Sequence, residues 1–245
     1  MRIAFRFRWV PFVAALVVAC IGVALGEWQR GRANDKDALA RMLEARSAMA
    51  PFELRGSVSL PDASGLEFRN VVAHGEFVRD WPVYLDNRPH SGVSGFYLAM
   101  PFRLEDGTVI LVMRGWFPRD PADRMRVQAA PAPSGRTTVE GTIRRNAGQV
   151  LQLGEPAQLR PGAIVQNLTP DEFAKASGMK VLPFIIEQAA KRDANTDDGL
   201  VRDWPAPSFG ADKHRGYAFQ WYALAATALV FFLVTGFRSG TKQAA

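Results

Sequence analysis

Eighteen residues from Trp9 to Gly26, WVPFVAALVVACIGVALG, and twenty-one from Tyr217 to Phe237, YAFQWYALAATALVFFLVTGF, carry no charged side chain. At about 1.5 Å of rise per residue, a helix over the first run nearly crosses a hydrocarbon core of about 30 Å, and one over the second crosses it with some tilt. Arg2, Arg6 and Arg8 precede the first run, and Arg238 and Lys242 follow the second. The positive-inside rule therefore puts the tails, 1–8 and 238–245, in the cytoplasm. The chain between them then lies outside, since a long domain translocates largely regardless of charges such as Lys213 and Arg215. Transmembrane helices are expected over 9–26 and 213–237. A cleaved signal peptide would share the basic start, the apolar stretch and the small residues Ala24 and Gly26. The opening eight residues are too short for a mitochondrial transit peptide, which favours a bacterial inner membrane.

Of 245 residues, 48% are hydrophobic and 22% charged, an ordinary globular balance once the two apolar runs are set aside. The net charge of +6 is spread along the chain with no run of five basic residues, so a lipid surface fits it better than nucleic acid. Cys20 is the sole cysteine and lies inside the first apolar run, which excludes an intrachain disulfide and a CxxC site. A domain of this size can bury enough apolar surface without such a staple.

Residues 27–50 keep helical periodicity up to Pro51 and are expected to carry the first helix outward as a juxtamembrane segment. Residues 51–212 then form the extracytoplasmic domain, where short apolar runs broken by Gly, Pro, Asp and Asn predict strands joined by turns. A hairpin is expected over Ser94–Trp116, with Asp106-Gly107 supplying a positive-φ turn. Further strands are expected around 51–60, 68–77, 82–86, 136–144, 163–166 and 181–187. Thr169 as cap and Pro170 at the first helical position predict a helix to Ala176, ended by Gly178. The fold class is therefore α+β: two terminal transmembrane helices flanking an antiparallel, β-rich barrel- or sandwich-like domain. Gln188–Asp212, polar and Pro-containing, is expected to be an extended lead back to the membrane.

Signatures of catalysis are missing: no GxSxG, no P-loop, no GxGxxG after a strand and no HExxH. The chain is therefore not expected to be an enzyme. His74, beside an expected strand end, and His90, in a turn, have no companion at metal-ligand spacing. His214 differs, because it enters the second apolar run with Tyr217 three residues on and Trp221 seven residues on, all on one helical face. It suits either an interfacial structural histidine or an axial ligand to haem iron, with the aromatics as an apolar wall and Lys213 or Arg215 near the propionates.

Three blocks carry a resemblance to a known family. LGEWQRGRANDK (Leu25–Lys36) follows the first helix, and VYLDNRPHSGVSGFYLAMPFRLEDGTVILVMRGWFP (Val83–Pro118) forms the centre. HRGYAFQW (His214–Trp221) opens the second helix. In this order, framed by two apolar spans, they resemble the surfeit locus protein 1 family of cytochrome c oxidase assembly factors. Met113 stands where that family usually has Asn before RGW, and Asp212 where Asn is common. The resemblance implies a chaperone-like helper in maturation of respiratory haem–copper oxidases, acting on haem a insertion into the catalytic subunit or on an early assembly intermediate. It implies haem a binding through the histidine at position 214, as axial ligand to the iron; Tyr217 and Trp221 join that site by spacing. The alternative is a haem-free membrane scaffold that stabilises assembly intermediates. The implied partners are the oxidase catalytic subunit, other assembly factors or haem a synthase, and the bilayer. For the central block, Gly95 and Gly107 suit turns, Gly115 a close backbone approach and Trp116 a core. Arg88 and Arg114 either pair inside the domain or face a partner.

Overall fold

The longest strands lie where the sequence is most continuously apolar: β5 (Gly95–Leu104) and β6 (Val109–Pro118) form the expected hairpin. The computed structural model describes residues 3–5, 7–56, 63–123, 126–127, 131–152, 154–190, 198–205 and 210–239. In chain order the other elements are β1 (Ile3–Phe5), α1 (Trp9–Ser47), β2 (Phe52–Leu54), α2 (Ala63–Leu66), β3 (Asn70–Phe77) and β4 (Val83–Leu85). After the hairpin come β7 (Thr137–Arg144), β8 (Ile164–Val165), α3 (Pro170–Ser177), β9 (Val181–Gln188), α4 (Ala211–Gly236) and β10 (Phe237–Ser239). The chain falls into two compact units, Met1–Met42 with Pro207–Ala245, and Leu43–Ala206.

The larger unit is a closed barrel. Its ring runs β3-β7-β9-β6-β5 and returns to β3 through the pairing of Gly75–Phe77 with Phe102–Leu104. Ring neighbours are antiparallel except β6 and β9, which are parallel. That exception follows from the connection, since β7, β8 and α3 intervene and bring the chain back in the same direction. β2 adds in parallel beside β3, and β4 and β8 extend the sheet beyond β5. Pro183, which cannot donate to a ladder, sits where β9 steps out of register with β6.

β5 and β6 are buried on both faces, which explains why they read as unbroken apolar runs. Phe96, Leu98, Met100, Phe102, Ile110 and Val112 belong to one core cluster, shared with Phe184 and Ile186 of β9. Ala99, Leu111 and Met113 turn the other way and pack under α3 with Phe173 and Val165. Met113 is fully buried in this second layer, so an apolar side chain at that position is what the packing requires. α3 has the expected start, a capping box between Thr169 and Glu172, and the expected stop, Gly178 in the left-handed conformation.

Several sequence expectations need correcting. The β5–β6 turn is the expected Glu105-Asp106-Gly107, except that of the Asp-Gly pair Gly107 alone has positive φ, while Asp106 accepts hydrogen bonds from Thr108. Gly95 is not a turn glycine: an added Cβ would lie 2.4 Å from the Phe117 carbonyl and from the Trp116 indole. His74 lies within β3 rather than at its end, with Nδ1 3.1 Å from Thr138 Oγ1. The strand expected over 51–60 is β2 alone among the described residues, and 57–60 fall outside them.

The expected lead to the membrane is, over 198–205, a strap laid on the barrel. Val201 bridges Trp116 through N–H···O contacts of 2.7 and 2.8 Å, Leu200 enters the core, and the Trp204 indole N–H donates to the Gln188 carbonyl at 2.8 Å. The polar composition concealed this, because the strap is held by backbone pairing and by Leu200 rather than by an apolar run. Residues 191–197 and 206–209 fall outside the described residues.

The smaller unit is a pair of antiparallel helices. α1 is a single helix of 39 residues that continues without a break through the expected juxtamembrane segment. Both α1 and α4 contain stretches long and apolar enough to cross a membrane. Many of their large apolar side chains are exposed, Val10 at 81% and Phe219 at 74%. The tails β1 and β10 pair with each other.

Candidate functional site

Small residues make the seam between α1 and α4. On α1, Ala15, Ala19, Gly22, Gly26, Gln29 and Ala33 are at least half-buried, in alternating steps of four and three residues. On α4, His214, Ala218, Trp221, Ala225, Ala228 and Phe232 follow the same steps. This is the spacing of a coiled-coil seam, and the small side chains let the backbones approach closely. An added Cβ on Gly22 would lie 2.9 Å from both the Ala225 Cβ and the Trp221 carbonyl, and one on Gly26 would lie 2.5 Å from the Tyr222 ring.

Toward the charged end of the pair, this apolar seam turns polar. His214 Nδ1 lies 2.7 Å from Gln29 Oε1, so the ring donates to the amide oxygen, which can only accept. The Tyr222 hydroxyl donates to Glu27 at 2.9 Å. Arg215 pairs with Asp37 at 2.5 Å and with Asp212 at 2.8 Å. The block after the first apolar run and the block opening the second, far apart in the chain, thus meet here.

The residues singled out from sequence are placed as follows. His214 and Trp221 lie half-buried on the seam side of α4, while Tyr217 stands on an exposed flank at 52%. Arg215 is held by two carboxylates, so of the two cations considered for propionates Lys213 is the one in the open. Asp212, at the position where Asn is common, is one of those carboxylates. Gln29, Glu27 and Tyr222 were missed. The available signal was that Gln29 falls in heptad register with Gly22 and Gly26, so that a polar side chain continues the small-residue stripe.

The central block builds the barrel. Arg114 is the extra residue of a β-bulge, since Leu98 faces Gly115 while Ala99 faces Met113. The bulge shifts the alternation of β6, so that Ile110 and Val112 before it and Phe117 after it all enter the same core. Arg114 itself is 1% exposed, donates to Asp198 at 2.7 Å and lies 5.3 Å over the Phe77 ring. Gly115, at φ 156°, allows Leu200 to lie against it, an added Cβ falling 2.7 Å from the Leu200 Cβ. Arg88 is also buried, donating to the carbonyls of Gly148 and Gln166 at 3.1 and 2.8 Å, and its own carbonyl accepts from the Trp116 indole. Both arginines are therefore structural members of the barrel.

Electrostatics agree with that role. Burial pulls the Arg114 guanidinium below its ordinary value, against the opposing charge of Asp198. Burial alone would push the Asp198 carboxyl up, but hydrogen bonds from Arg202 and Leu200 and the charges of Arg202 and Arg114 outweigh it and leave a net depression. Glu187 is pushed up by burial, with Arg144 opposing. An open groove of about 760 Å3 on the barrel has a mixed lining, polar at Asn70, Thr138, Glu140 and Gln188 and apolar at Pro51, Val71 and Val72. The polar cluster on the helix pair is the better candidate site, because it combines an imidazole with an apolar, aromatic surround.

A closed barrel flanked in sequence by two long apolar helices, whose packed seam turns polar toward one end, defines the class of this protein. This chain belongs to the SURF1 family, whose model matches residues 15–226. A SURF1-like protein of Monosiga brevicollis is 27% identical over 94% of this chain and 89% of its own length. One from Dictyostelium discoideum is 31% identical over 91% of this chain and 94% of its own. The cytochrome oxidase assembly protein SHY1 of Saccharomyces cerevisiae is 30% identical over 97 residues, 39% of this chain and 25% of its own. The family resemblance drawn from the three blocks is thus borne out.

Proposed function

We propose that this protein assists cytochrome oxidase assembly by holding haem a at the outer face of a bacterial plasma membrane. The observation that carries the reading is the His214 ring, whose Nδ1 is committed to Gln29 while Nε2 makes no hydrogen bond among the described residues. A neutral imidazole in that state offers a lone pair at Nε2. Among the described residues no cluster of His, Cys, Asp and Glu is arranged to hold a bare metal ion. That donor set fits haem, whose iron is held in its ring and asks of the protein an axial donor and an apolar wall.

His214 would be the axial ligand, Trp221 and the exposed Tyr217 the wall, and Lys213 the cation nearest the propionates. Both apolar helices cross the bilayer, with the tails in the cytoplasm and the barrel in the periplasm. The partner is the oxidase catalytic subunit, reached directly or beside haem a synthase or other assembly factors. The yeast relative's name as an oxidase assembly protein supports this placing. The task is binding and transfer of a preformed group, and no reaction is assigned to the chain.

The test is complementation. In cells lacking the protein, haem a per oxidase catalytic subunit should fall, and the wild-type protein should restore it. His214→Ala, at equal membrane abundance, should not. Equal restoration by His214→Ala contradicts the haem-holding role and leaves a scaffold that grips oxidase subunits without haem.

A further inference from the structure

We infer that Gln29 is the positioning residue of this site: its amide oxygen fixes both the orientation of the His214 ring and the nitrogen that carries its proton. The inference rests on the haem-holding reading and deepens it. Packing alone does not call for glutamine here, because its neighbours in register on α1, Gly22, Gly26 and Ala33, are all small. A long polar side chain in such a seam must satisfy its hydrogen bonds locally, and Gln29 does so at 2.7 Å with His214 Nδ1.

The consequence is chemical. An amide oxygen only accepts, so Nδ1 carries the shared proton, and in the neutral ring the lone pair is on Nε2. Nε2 is not among the buried, unpartnered atoms of the described residues, so it remains open to an incoming electrophile. Metal-binding histidines are held in the same way, their second ring nitrogen donating to an acceptor that fixes tautomer and ring orientation. Gln29 supplies that acceptor from α1, so the site is assembled only when α1 and α4 are paired.

Two measurements on the full-length protein in detergent test the inference. The first needs no haem: nitrogen NMR shifts of the His214 ring should report the Nδ1–H tautomer in the wild type and in Gln29→Glu. In Gln29→Leu the Nε2–H form should gain. The second is titration with haem a, read by visible absorption. Gln29→Leu should weaken binding by about 10–100-fold, the range seen when such outer partners are removed, and Gln29→Glu should retain it. A wild-type ring protonated at Nε2, or a Gln29→Leu protein that binds as tightly as wild type while His214→Ala does not, overturns the inference. If no form binds haem a, the haem-holding reading fails, and the ring tautomer alone decides whether Gln29 positions His214.

Discussion

The barrel and the helix pair bury opposite kinds of residue. The barrel encloses Phe96, Phe102, Phe184 and a fully buried arginine, whereas the helix pair encloses mainly small residues, Gly22, Gly26, Ala218 and Ala225, with Phe232 at one end, and turns Val10, Val230, Phe219 and Phe231 outward. Large apolar groups go inside when the surroundings are water. In lipid that driving force vanishes between helices, and close packing of small residues takes over. The helix pair thus has the packing pattern of helices in lipid, and the barrel that of a domain in water. Polar groups follow the same division: in the barrel Arg114, Arg202 and Asp198 are held together, and on the helix pair the polar contacts gather toward one end, where an imidazole nitrogen is left open.

Four experiments sharpen or break this contrast. Asp198→Ala should have the largest effect, because it removes a carboxylate from between Arg114 and Arg202; losing one partner of such a buried pair costs about 3–5 kcal/mol. Urea unfolding followed by tryptophan fluorescence would measure it, and the His214 ring shifts should stay unchanged. A loss well under 1 kcal/mol would mean that the barrel does not depend on this pair.

Next come two glycines in similarly close contact but of different consequence. Gly115→Ala should lower barrel stability by about 1–3 kcal/mol, through both its positive φ and its contact with Leu200. Gly22→Leu overpacks the other unit, so the barrel transition should stay fixed while the contact between His214 and Gln29 is lost. If Gly22→Leu unfolds the barrel instead, the two units are not energetically separate.

The smallest effect is the response to acid. Because the folded state holds the Asp198 carboxyl below its ordinary value of 3.8, its contribution is complete above that pH and is lost as pH falls through the lower, folded value. The stability difference between wild type and Asp198→Asn should thus shrink below about pH 3.8. A difference independent of pH in that range would show that the charge of Asp198 is not what matters.

Much of the fold is legible in the sequence because period and punctuation agree. The apolar runs mark the helices, the loop Glu105-Asp106-Gly107 marks the hairpin, and Thr169-Pro170 with Gly178 brackets α3. Closure of the barrel is not legible, since the pairing of Gly75 with Leu104 is a long-range contact with no local signal. Nor is the bulge at Arg114, which explains the order Arg-Gly-Trp only once Leu98 and Ala99 are seen opposite it. At the site, His214 stands out as a histidine beside an apolar run. Gln29 does not, because its role depends on a helix that returns to it from the far end of the chain.

The most direct test of the account is the visible absorption spectrum of the full-length protein, purified in detergent from cells that make haem a. Bound haem a is predicted in the wild type and in Asp198→Ala, and its loss is predicted in His214→Ala. A colourless wild-type protein, or a His214→Ala protein with undiminished haem, would contradict it.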